Sequence, residues 1–252
     1  MSKQHKFSRT EQLIGEEAIQ KLYKSRIAIF GIGGVGSYTA EALARSGVGN
    51  FILIDDDLVC ETNINRQIHA LVSTVGMPKV DAMKDRILQI NPDANVETKQ
   101  IFYLPKSEEI EWNYDYVVDA VDTVTAKLEI VQQCYNKNIA VISAMGAGNK
   151  IESSKFEVAD INETSICPLA KVMRRELKKR GIGKLKVVYS KEVPMRAKDP
   201  LEACKKGCIC PNTSERKCTQ RRQVPASIMP VVATLGLIIA GEVIKDITKR
   251  VL

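Results

Sequence analysis

Short apolar runs alternate with amphipathic stretches over the first 150 residues of the chain. The runs are rich in β-branched or aromatic residues, as buried strands are, and lie at 27–30, 51–54, 96–102, 116–118 and 140–143. Between them, apolar residues recur every three to four positions, as in amphipathic helices, at 38–44, 80–90 and 128–135. Strands that alternate with helices predict βαβ units and a Rossmann-like, doubly wound α/β fold with a mostly parallel sheet.

The two ends of the chain are expected to add elements to this core. An amphipathic helix should precede the first strand, with Leu13, Ile14, Ile19 and Leu22 on its apolar face. The apolar stretch 227–240 contains Pro230 and is too short to span a bilayer, so it predicts a buried C-terminal helix.

Beyond residue 150 the pattern changes. Strands are expected at 155–158 and 187–189, on either side of a basic helix at 169–180. Residues 191–225 show no periodicity and predict a long loop. We therefore expect a core at 1–150 and a basic α+β C-terminal lobe at 151–252, continuous with it as one domain.

The net charge of +7 is unevenly distributed. Residues 171–222 hold 17 Lys and Arg against 5 Asp and Glu, which gives +12, so the rest of the chain carries −5. A basic lobe of this kind favours a polyanionic partner such as RNA, although a solvated helix face would give the same count. Tyr189 is its single aromatic residue, so base stacking is not indicated there.

Cysteine usage indicates the compartment. The chain has seven cysteines and a polar N-terminus without the apolar run of a secretory signal. We therefore expect a reduced, cytoplasmic setting and no membrane span.

The first strand runs into a Gly-x-Gly-x-x-Gly turn, followed by a helix start. The glycines are Gly31, Gly33, Gly34 and Gly36. Such a turn lets the backbone approach phosphates, and the helix N-terminus supplies N–H donors and a positive dipole end. The glycine pattern is shared by dehydrogenases, methyltransferases and nucleotidyl enzymes, so it does not choose between them.

Polar residues that follow the turn narrow the choice. Asp55 closes the second strand about twenty residues after the glycines, where a carboxylate accepts from ribose hydroxyls. Arg66 and Lys79 would offset triphosphate charge, and Asp122, after a later strand, would hold magnesium. Parallel strands end at one edge of a sheet, so Gly33, Asp55 and Asp122 should converge. Taken singly, each cation is typical of a surface residue and Asp122 of a helix cap.

At this point the chain resembles the ubiquitin-activating-enzyme-like (E1-like, ThiF/MoeB-type) superfamily, over residues 7 to about 150. The resemblance rests on the order and spacing of six motifs: Phe7-Ser8-Arg9, the glycine turn through Ser37, Asp55-Asp56-Asp57, Asn63-Ile64-Asn65-Arg66-Gln67, Gly76-Met77-Pro78-Lys79 and Asp119-Ala120-Val121-Asp122. Members of this superfamily use ATP and magnesium to adenylate a carboxylate.

The resemblance implies roles for individual residues. Asp55 would bind ribose, while Asn63, Arg66 and Lys79 would contact phosphates and Asp122 would bind Mg²⁺. Arg9 would reach into the neighbouring protomer's site, which implies a homodimer. The remaining residues expected to contact the nucleotide are the four glycines, Asp57 and Gln67; those expected to take part in catalysis are Arg9, Arg66, Lys79 and Asp122.

Within the superfamily, the second half resembles the tRNA threonylcarbamoyladenosine dehydratases. The matching segments are Asp160-Ile161-Asn162-Glu163-Thr164, the run from Cys167 to Arg174, Lys178-Lys179-Arg180-Gly181-Ile182 and Val187-Val188-Tyr189-Ser190. This branch activates the threonyl carboxylate of the modified adenosine beside the tRNA anticodon and closes a ring with loss of water. The basic lobe, found from charge alone, fits a tRNA substrate.

Three other functions compete with this interpretation. The first is an adenylyltransferase or sulfurtransferase that activates the C-terminal glycine of a ubiquitin-like sulfur carrier, which the long basic lobe disfavours. The second is a nicotinamide-dependent oxidoreductase, which has no use for Arg66, Lys79 and Asp122. The third is a non-catalytic tRNA-binding module. A sulfur-transfer protein partner is left open.

The cysteines and histidines offer weaker candidates. Cys204, Cys208, Cys210 and Cys218 would hold a structural zinc, although their spacing is not that of two Cys-x-x-Cys pairs, and reduced thiols or a redox pair fit as well. A monovalent cation is a further candidate cofactor. Cys60 and Cys134 are expected to be buried, and Cys167 to begin a helix. Neither His5 nor His69 is expected to catalyse, because adenylation does not demand acid–base chemistry.

Overall fold

The computed structural model describes residues 4–105, 110–196 and 225–249. Within these residues seven strands form one sheet, in the order β3-β2-β1-β4-β5-β7-β6, and β6 is antiparallel to β7 while the other pairs are parallel. The strands are β1 (Arg26–Phe30), β2 (Asn50–Ile54), β3 (Asn95–Lys99), β4 (Tyr116–Asp119), β5 (Ala140–Ala144), β6 (Phe156–Asp160) and β7 (Lys186–Ser190). The prediction of a doubly wound, mostly parallel α/β fold is confirmed.

Helices cover both faces of the sheet. In the described residues they are α1 (Ser8–Ile14), α2 (Glu16–Lys24), α3 (Gly36–Arg45), α4 (Lys79–Ile90), α5 (Val124–Lys137), α6 (Pro168–Lys179) and α7 (Met229–Thr248). Because strand side chains alternate, Ile27 and Ile29 pack with α3, α4 and α7, whereas Ala28 and Phe30 face α5. The strands and the basic helix expected beyond residue 150 are present, and their sheet is continuous with the one before it.

The leading helix differs from the prediction. It is broken at Gly15, whose φ of 84° and ψ of 159° lie outside the helical region and are accessible to glycine. The segment is therefore divided into α1 and α2. Leu13 is 82% exposed, while Ile19 and Leu22 are buried. Leu13 therefore does not belong to the apolar face that its spacing predicted.

Strand β3 is shorter than the apolar run that predicted it. It ends at Lys99 rather than at residue 102, because its partner β2 ends at Ile54. The last hydrogen bond between the two segments runs from the Asp55 N–H to the Lys99 carbonyl, at 3.2 Å. Beyond this point no strand among the described residues is available to pair with, and the chain leaves the sheet.

The C-terminal helix α7 is buried, as expected, and continues to Thr248. It crosses α3 closely, because a Cβ on Gly236 would lie 2.5 Å from the Val35 carbonyl oxygen. The Thr39 hydroxyl donates to the Gly236 carbonyl at 3.1 Å across this contact. The end of the chain thus supports the helix that follows the glycine turn. Among the described helices, none is long and apolar enough to cross a membrane.

Candidate nucleotide-binding active site

The glycine turn connects β1 to α3, and two of its glycines are required by backbone packing. Gly31 has a φ of +87°, and a Cβ there would lie 2.7 Å from the Ala120 carbonyl oxygen. A Cβ on Gly36 would lie 1.8 Å from the Gly31 carbonyl oxygen. These glycines allow the turn to fold tightly against the loop after β4, so their role is structural.

Gly33 has a different environment. The nearest heavy atom to a Cβ placed on it is the Gln67 Nε2, at 4.0 Å, so its side-chain position faces open space beside the N-terminus of α3. Gly34, by contrast, packs against Val232 of α7, with a Cβ distance of 3.1 Å. The open backbone at Gly33, next to the N-terminus of α3, has the form of a phosphate cradle that a larger side chain would fill.

Asp55 lies at the end of β2, beside this turn. Its Oδ2 accepts from the Ile32 N–H at 2.6 Å, and its Oδ1 accepts from the Asp57 N–H at 2.9 Å. Burial raises the pKa of Asp55, and neighbouring Asp57 adds to this effect, although Lys79 and the two backbone donors oppose it. These two bonds hold the carboxylate next to the glycine turn, where a side chain that binds ribose was predicted.

Lys79 begins α4 and provides a buried positive charge at the same edge. Its Nζ donates to the Asp57 Oδ2 at 2.6 Å and lies 3.9 Å from the Asp55 Oδ1. The side chain is only 7% exposed. Two of three consecutive aspartates therefore contact this lysine. Burial, Asp57 and Asp55 raise the pKa of the third, Asp56, to about 6.

The segment 63–67 contributes three of the predicted residues. The Asn63 Oδ1 accepts from the Cys60 N–H at 3.1 Å, so this oxygen caps the short 3₁₀ helix Glu61–Asn63. The Arg66 Nη1 donates to the Thr62 carbonyl and to the Asn65 Oδ1, at 2.7 and 2.9 Å. Gln67 is 5% exposed, and its Oε1 has no hydrogen-bond partner within the described residues. An unpaired buried amide oxygen next to Gly33 is what a ligand site would contain.

Asp122 follows β4 and is exposed. The Thr123 hydroxyl donates to its Oδ1 at 3.3 Å. Because Gly31 packs against Ala120, the loop that carries Asp122 adjoins the glycine turn, as the convergence of strand ends predicted. One carboxylate together with substrate phosphates is the donor set that Mg²⁺ usually takes, so the residues present fit this ion.

Arg9 is exposed in α1, and no hydrogen bond or ion pair ties its guanidinium to the part of its own chain that the structure describes. Arg9 is therefore not brought together with the residues above within one chain.

The structure describes three of the cysteines and both histidines. Cys60 and Cys134 are buried, as expected. Cys167 is buried as well, and it directly precedes α6, as expected. Both ring nitrogens of His69 lack partners among the described residues, and burial together with Lys79 and Arg86 lowers its pKa to about 3. The imidazole is therefore neutral near pH 7. His5 is exposed and contacts Glu11 at 2.5 Å.

Metal ligands other than Asp122 are not indicated in the described residues, where no group of three or more His, Cys, Asp or Glu side chains is placed to hold an ion. The predicted zinc ligands Cys204, Cys208, Cys210 and Cys218 lie outside the described residues.

One buried charge next to the site was not predicted from the sequence. Lys127 of α5 is fully buried, and its Nζ lies 3.0 Å from the Asp119 Oδ2. The spacing of Lys127 could have indicated its burial. It lies three, four and seven positions before Ile130, Val131 and Cys134, which are buried on the same helix face. A lysine on the apolar face of a helix needs a buried partner.

The fold and this edge of the sheet define a nucleotide-binding α/β protein with an open glycine turn, a buried lysine and exposed and buried carboxylates. The chain belongs to the ThiF family, whose profile matches residues 7–251.

Individual relatives narrow the comparison. A tRNA threonylcarbamoyladenosine dehydratase of Bacillus subtilis (strain 168) is 43% identical over 250 residues, which cover 98% of this chain and 96% of the relative. The crystal structure of the Escherichia coli tRNA N6-threonylcarbamoyladenosine dehydratase in complex with ATP superposes with a TM-score of 0.82 at 33% identity, covering 97% of this chain and 94% of that one. A molybdopterin-synthase adenylyltransferase of Haemophilus influenzae is 36% identical over 134 residues, or 53% of this chain and 54% of the relative.

Proposed function

We propose that this protein is an ATP-dependent tRNA threonylcarbamoyladenosine dehydratase. The observation that carries the proposal is similarity to such dehydratases along nearly the whole chain, 98% of it in the Bacillus subtilis case. The sulfur-carrier alternative is disfavoured, because similarity to the molybdopterin-synthase adenylyltransferase covers only 53% of the chain. The extent of the similarity therefore favours the dehydratase activity.

The carboxyl edge of the sheet would bind ATP. The backbone at Gly33 and the N-terminus of α3 would hold phosphates, with Arg66 and Lys79 offsetting their charge. Asp55 would accept from the ribose hydroxyls. The buried Lys79 already contacts Asp57 at 2.6 Å, so its charge would be compensated while it approaches the nucleotide.

Asp122 would hold Mg²⁺ together with the phosphates. The ion would neutralise charge that develops on the phosphates during substitution at the α-phosphate. Asn63, Asp57 and Gln67 complete the nucleotide contacts that we propose, and the unpaired Gln67 Oε1 supports the inclusion of that residue.

The reaction follows from the poor reactivity of a carboxylate, whose leaving group would be oxide. The threonyl carboxylate would attack the α-phosphorus of ATP and release pyrophosphate, which gives an acyl-adenylate. The carbamoyl group of the same nucleoside would then attack the activated carbonyl and expel AMP, so that the nucleoside loses one water overall. Because the closure is intramolecular, the protein needs chiefly to hold the geometry and exclude water. No cysteine nucleophile is required.

Helix α6 would provide part of the tRNA-binding surface. Lys171, Arg175, Lys178 and Lys179 are exposed on it, within the segment 171–222 that carries +12. Phosphate contacts release counterions, so we expect tRNA affinity to fall steeply with salt concentration. A salt-independent affinity in filter binding would contradict docking through this surface.

Arg9 would complete the site of a second copy in a homodimer. This assignment is supported by its exposure and by its lack of partners within the described part of its own chain. Mixing an Arg9→Ala variant with an Asp122→Asn variant would test it, because one site of the mixed dimer would then be intact and activity would be partly restored.

The function is tested by incubating the purified protein with ATP, Mg²⁺ and tRNA that bears N6-threonylcarbamoyladenosine, then digesting the tRNA and weighing its nucleosides. We expect the modified nucleoside to lose the mass of one water only when ATP is present. Unchanged nucleoside mass, together with ATP–pyrophosphate exchange stimulated by a ubiquitin-like carrier, would overturn the proposal in favour of the carrier-activating alternative.

A further inference from the structure

A buried ion pair lies directly beneath the loop that carries Asp122. The side chains of Lys127 and Asp119 are both 0% exposed, and the Nζ lies 3.0 Å from the Asp119 Oδ2. The Ser143 hydroxyl donates to the same oxygen at 2.5 Å. Removing two charges from water is costly, and apolar replacements are often as stable, so stability alone does not explain this pair.

The pair holds both backbone groups of Val121. The Asp119 Oδ1 accepts from the Val121 N–H at 3.3 Å. The Lys127 Nζ donates to the Val121 carbonyl oxygen at 3.1 Å. That carbonyl belongs to the peptide plane shared with the Asp122 nitrogen, so the ammonium fixes the direction in which Asp122 leaves the sheet.

The other side of the loop is fixed by the glycine turn. A Cβ on Gly31 would lie 2.7 Å from the Ala120 carbonyl oxygen and 2.9 Å from the Val121 nitrogen. The segment 120–122 is thus pressed between the phosphate-binding turn and the Lys127 ammonium, and a shift of either contact would move Asp122 relative to the phosphates.

We propose that Lys127 is a positioning residue, which sets the orientation of Asp122 toward the Mg²⁺ of bound Mg–ATP through its bonds to Asp119 and to the Val121 carbonyl. This proposal rests on the proposed role of Asp122. Lys127 itself does not contact the nucleotide, because its side chain is fully buried.

The test must separate positioning from folding. Lys127→Met alone would leave the Asp119 charge buried without a partner and would unfold the protein. The double variant Asp119→Asn with Lys127→Met removes both charges together. Its asparagine retains an acceptor for the Val121 N–H and a polar group for Ser143, so only the Val121 carbonyl loses its donor. Ser143→Ala is the matched control, because it removes a bond to Asp119 without touching Val121.

ATP binding by calorimetry, with Mg²⁺ and with chelator, is the first readout, and turnover of modified tRNA against Mg²⁺ concentration is the second. We expect the double variant to bind metal-free ATP as the wild type does, to lose most of the gain in affinity from Mg²⁺, and to turn over about 10- to 100-fold more slowly. Ser143→Ala should match the wild type in metal-free ATP affinity, in the gain in affinity from Mg²⁺ and in turnover.

Two results would overturn the proposal. One is a folded double variant with wild-type Mg²⁺ dependence in both readouts. The other is an equal loss of metal-free and Mg²⁺-dependent ATP binding, which would indicate general loosening of the site. If the wild type fails to convert modified tRNA, the proposed function fails, while calorimetry still decides whether Lys127 positions a Mg²⁺ ligand.

Discussion

Two groups of charged side chains lie at opposite ends of the parallel strands: the amino edge, where the strands begin, and the carboxyl edge, where they end. The two groups differ in how their charges are compensated. At the amino edge, Lys186 at the start of β7 bonds to Glu242 at 3.0 Å and to both oxygens of Asp246 at 2.8 Å. Tyr116 at the start of β4 donates to Asp246 at 2.8 Å. At the carboxyl edge, Asp55 and Asp57 lie 3.9 and 2.6 Å from the Lys79 Nζ.

The pKa values of the carboxyl groups move in opposite directions at the two edges. Burial raises the pKa of Asp246, but hydrogen bonds from Lys186, Tyr116 and Lys249 outweigh it, and the net shift is downward. Burial also raises the pKa of Asp55, and there the opposing contacts do not overcome it. The amino edge is therefore arranged for stability, whereas the carboxyl edge keeps acids in an unfavourable environment, which is typical of functional sites.

The largest expected effect is a loss of activity from a single substitution at the carboxyl edge. Asp122→Asn removes the negative charge that we assign to Mg²⁺ but keeps the size of the side chain. We expect ATP-dependent water loss from the modified nucleoside to fall by about 100-fold or more, with an unchanged melting temperature because the side chain is exposed. Asp93→Asn, an exposed carboxylate that contacts Lys6, is the control. Turnover of Asp122→Asn near the wild-type rate would refute the assignment.

At the amino edge we expect the converse, a loss of stability without a loss of activity. Asp246→Asn weakens the bonds to Lys186 and Tyr116 that join α7 to the sheet. We expect a loss of about 2 kcal/mol in the free energy of unfolding, as for a hydrogen bond to a charged group. Urea unfolding measures this, and turnover well below the melting temperature should match the wild type. A stable but inactive Asp246→Asn protein would contradict the division between the edges.

Much of the carboxyl edge could be predicted because its signals are local. The order of glycine turn, Asp55, Lys79 and Asp122 can be read directly, since each follows or begins a recognisable strand or helix. The amino-edge network could not, because it joins Tyr116, Lys186 and Asp246, which lie far apart in sequence and have no common motif. Lys127 was missed for the same reason, since its partner Asp119 became apparent only when β4 and α5 were placed together.

Element ends were predicted less well than elements, for physical reasons particular to each place. Strand β3 stops where its neighbour stops, which the composition of residues 100–102 does not reveal. The break between α1 and α2 depends on one backbone angle at Gly15, inside an apolar spacing that otherwise predicts a single helix. The role of a predicted ligand could also not be read fully from the sequence. The Asn63 side chain was expected to contact phosphates, and its Oδ1 accepts a hydrogen bond that caps its own 3₁₀ turn.

Glycine substitutions sharpen the distinction between packing and binding within the carboxyl edge itself. Gly33→Ala meets open space, so we expect the free energy of unfolding to be unchanged and the Kd for ATP to rise about tenfold, as the methyl group enters the phosphate cradle. Gly36→Ala would place a Cβ 1.8 Å from the Gly31 carbonyl oxygen and should destabilise the fold. Calorimetry and urea unfolding measure both effects. Equal ATP affinity in Gly33→Ala and the wild type would exclude the cradle.

The smallest expected effect is a pH dependence with opposite sign at the two edges. Burial, Asp57 and Asp55 raise the pKa of Asp56 to about 6, so the folded state holds a proton that the unfolded state has released. Stability from this group is therefore present below the ordinary aspartate pKa and is lost as the pH rises through about 6. Glu242 and Asp246, whose pKa values are lowered, contribute stability at neutral pH that is lost on acidification below the ordinary carboxyl pKa.

Asp56→Asn should therefore raise the free energy of unfolding at pH 7 by about 1 kcal/mol, after allowance for solvent screening of this half-buried group. Well below the ordinary aspartate pKa it should have no effect, because the wild-type carboxyl is then protonated in both states. Urea unfolding at a series of pH values checks this, with Asp93→Asn as an exposed control. A stabilisation that is independent of pH would mean that packing of the amide, and not charge among the three aspartates, is responsible, and the contrast between the two edges would then rest on Asp55 alone.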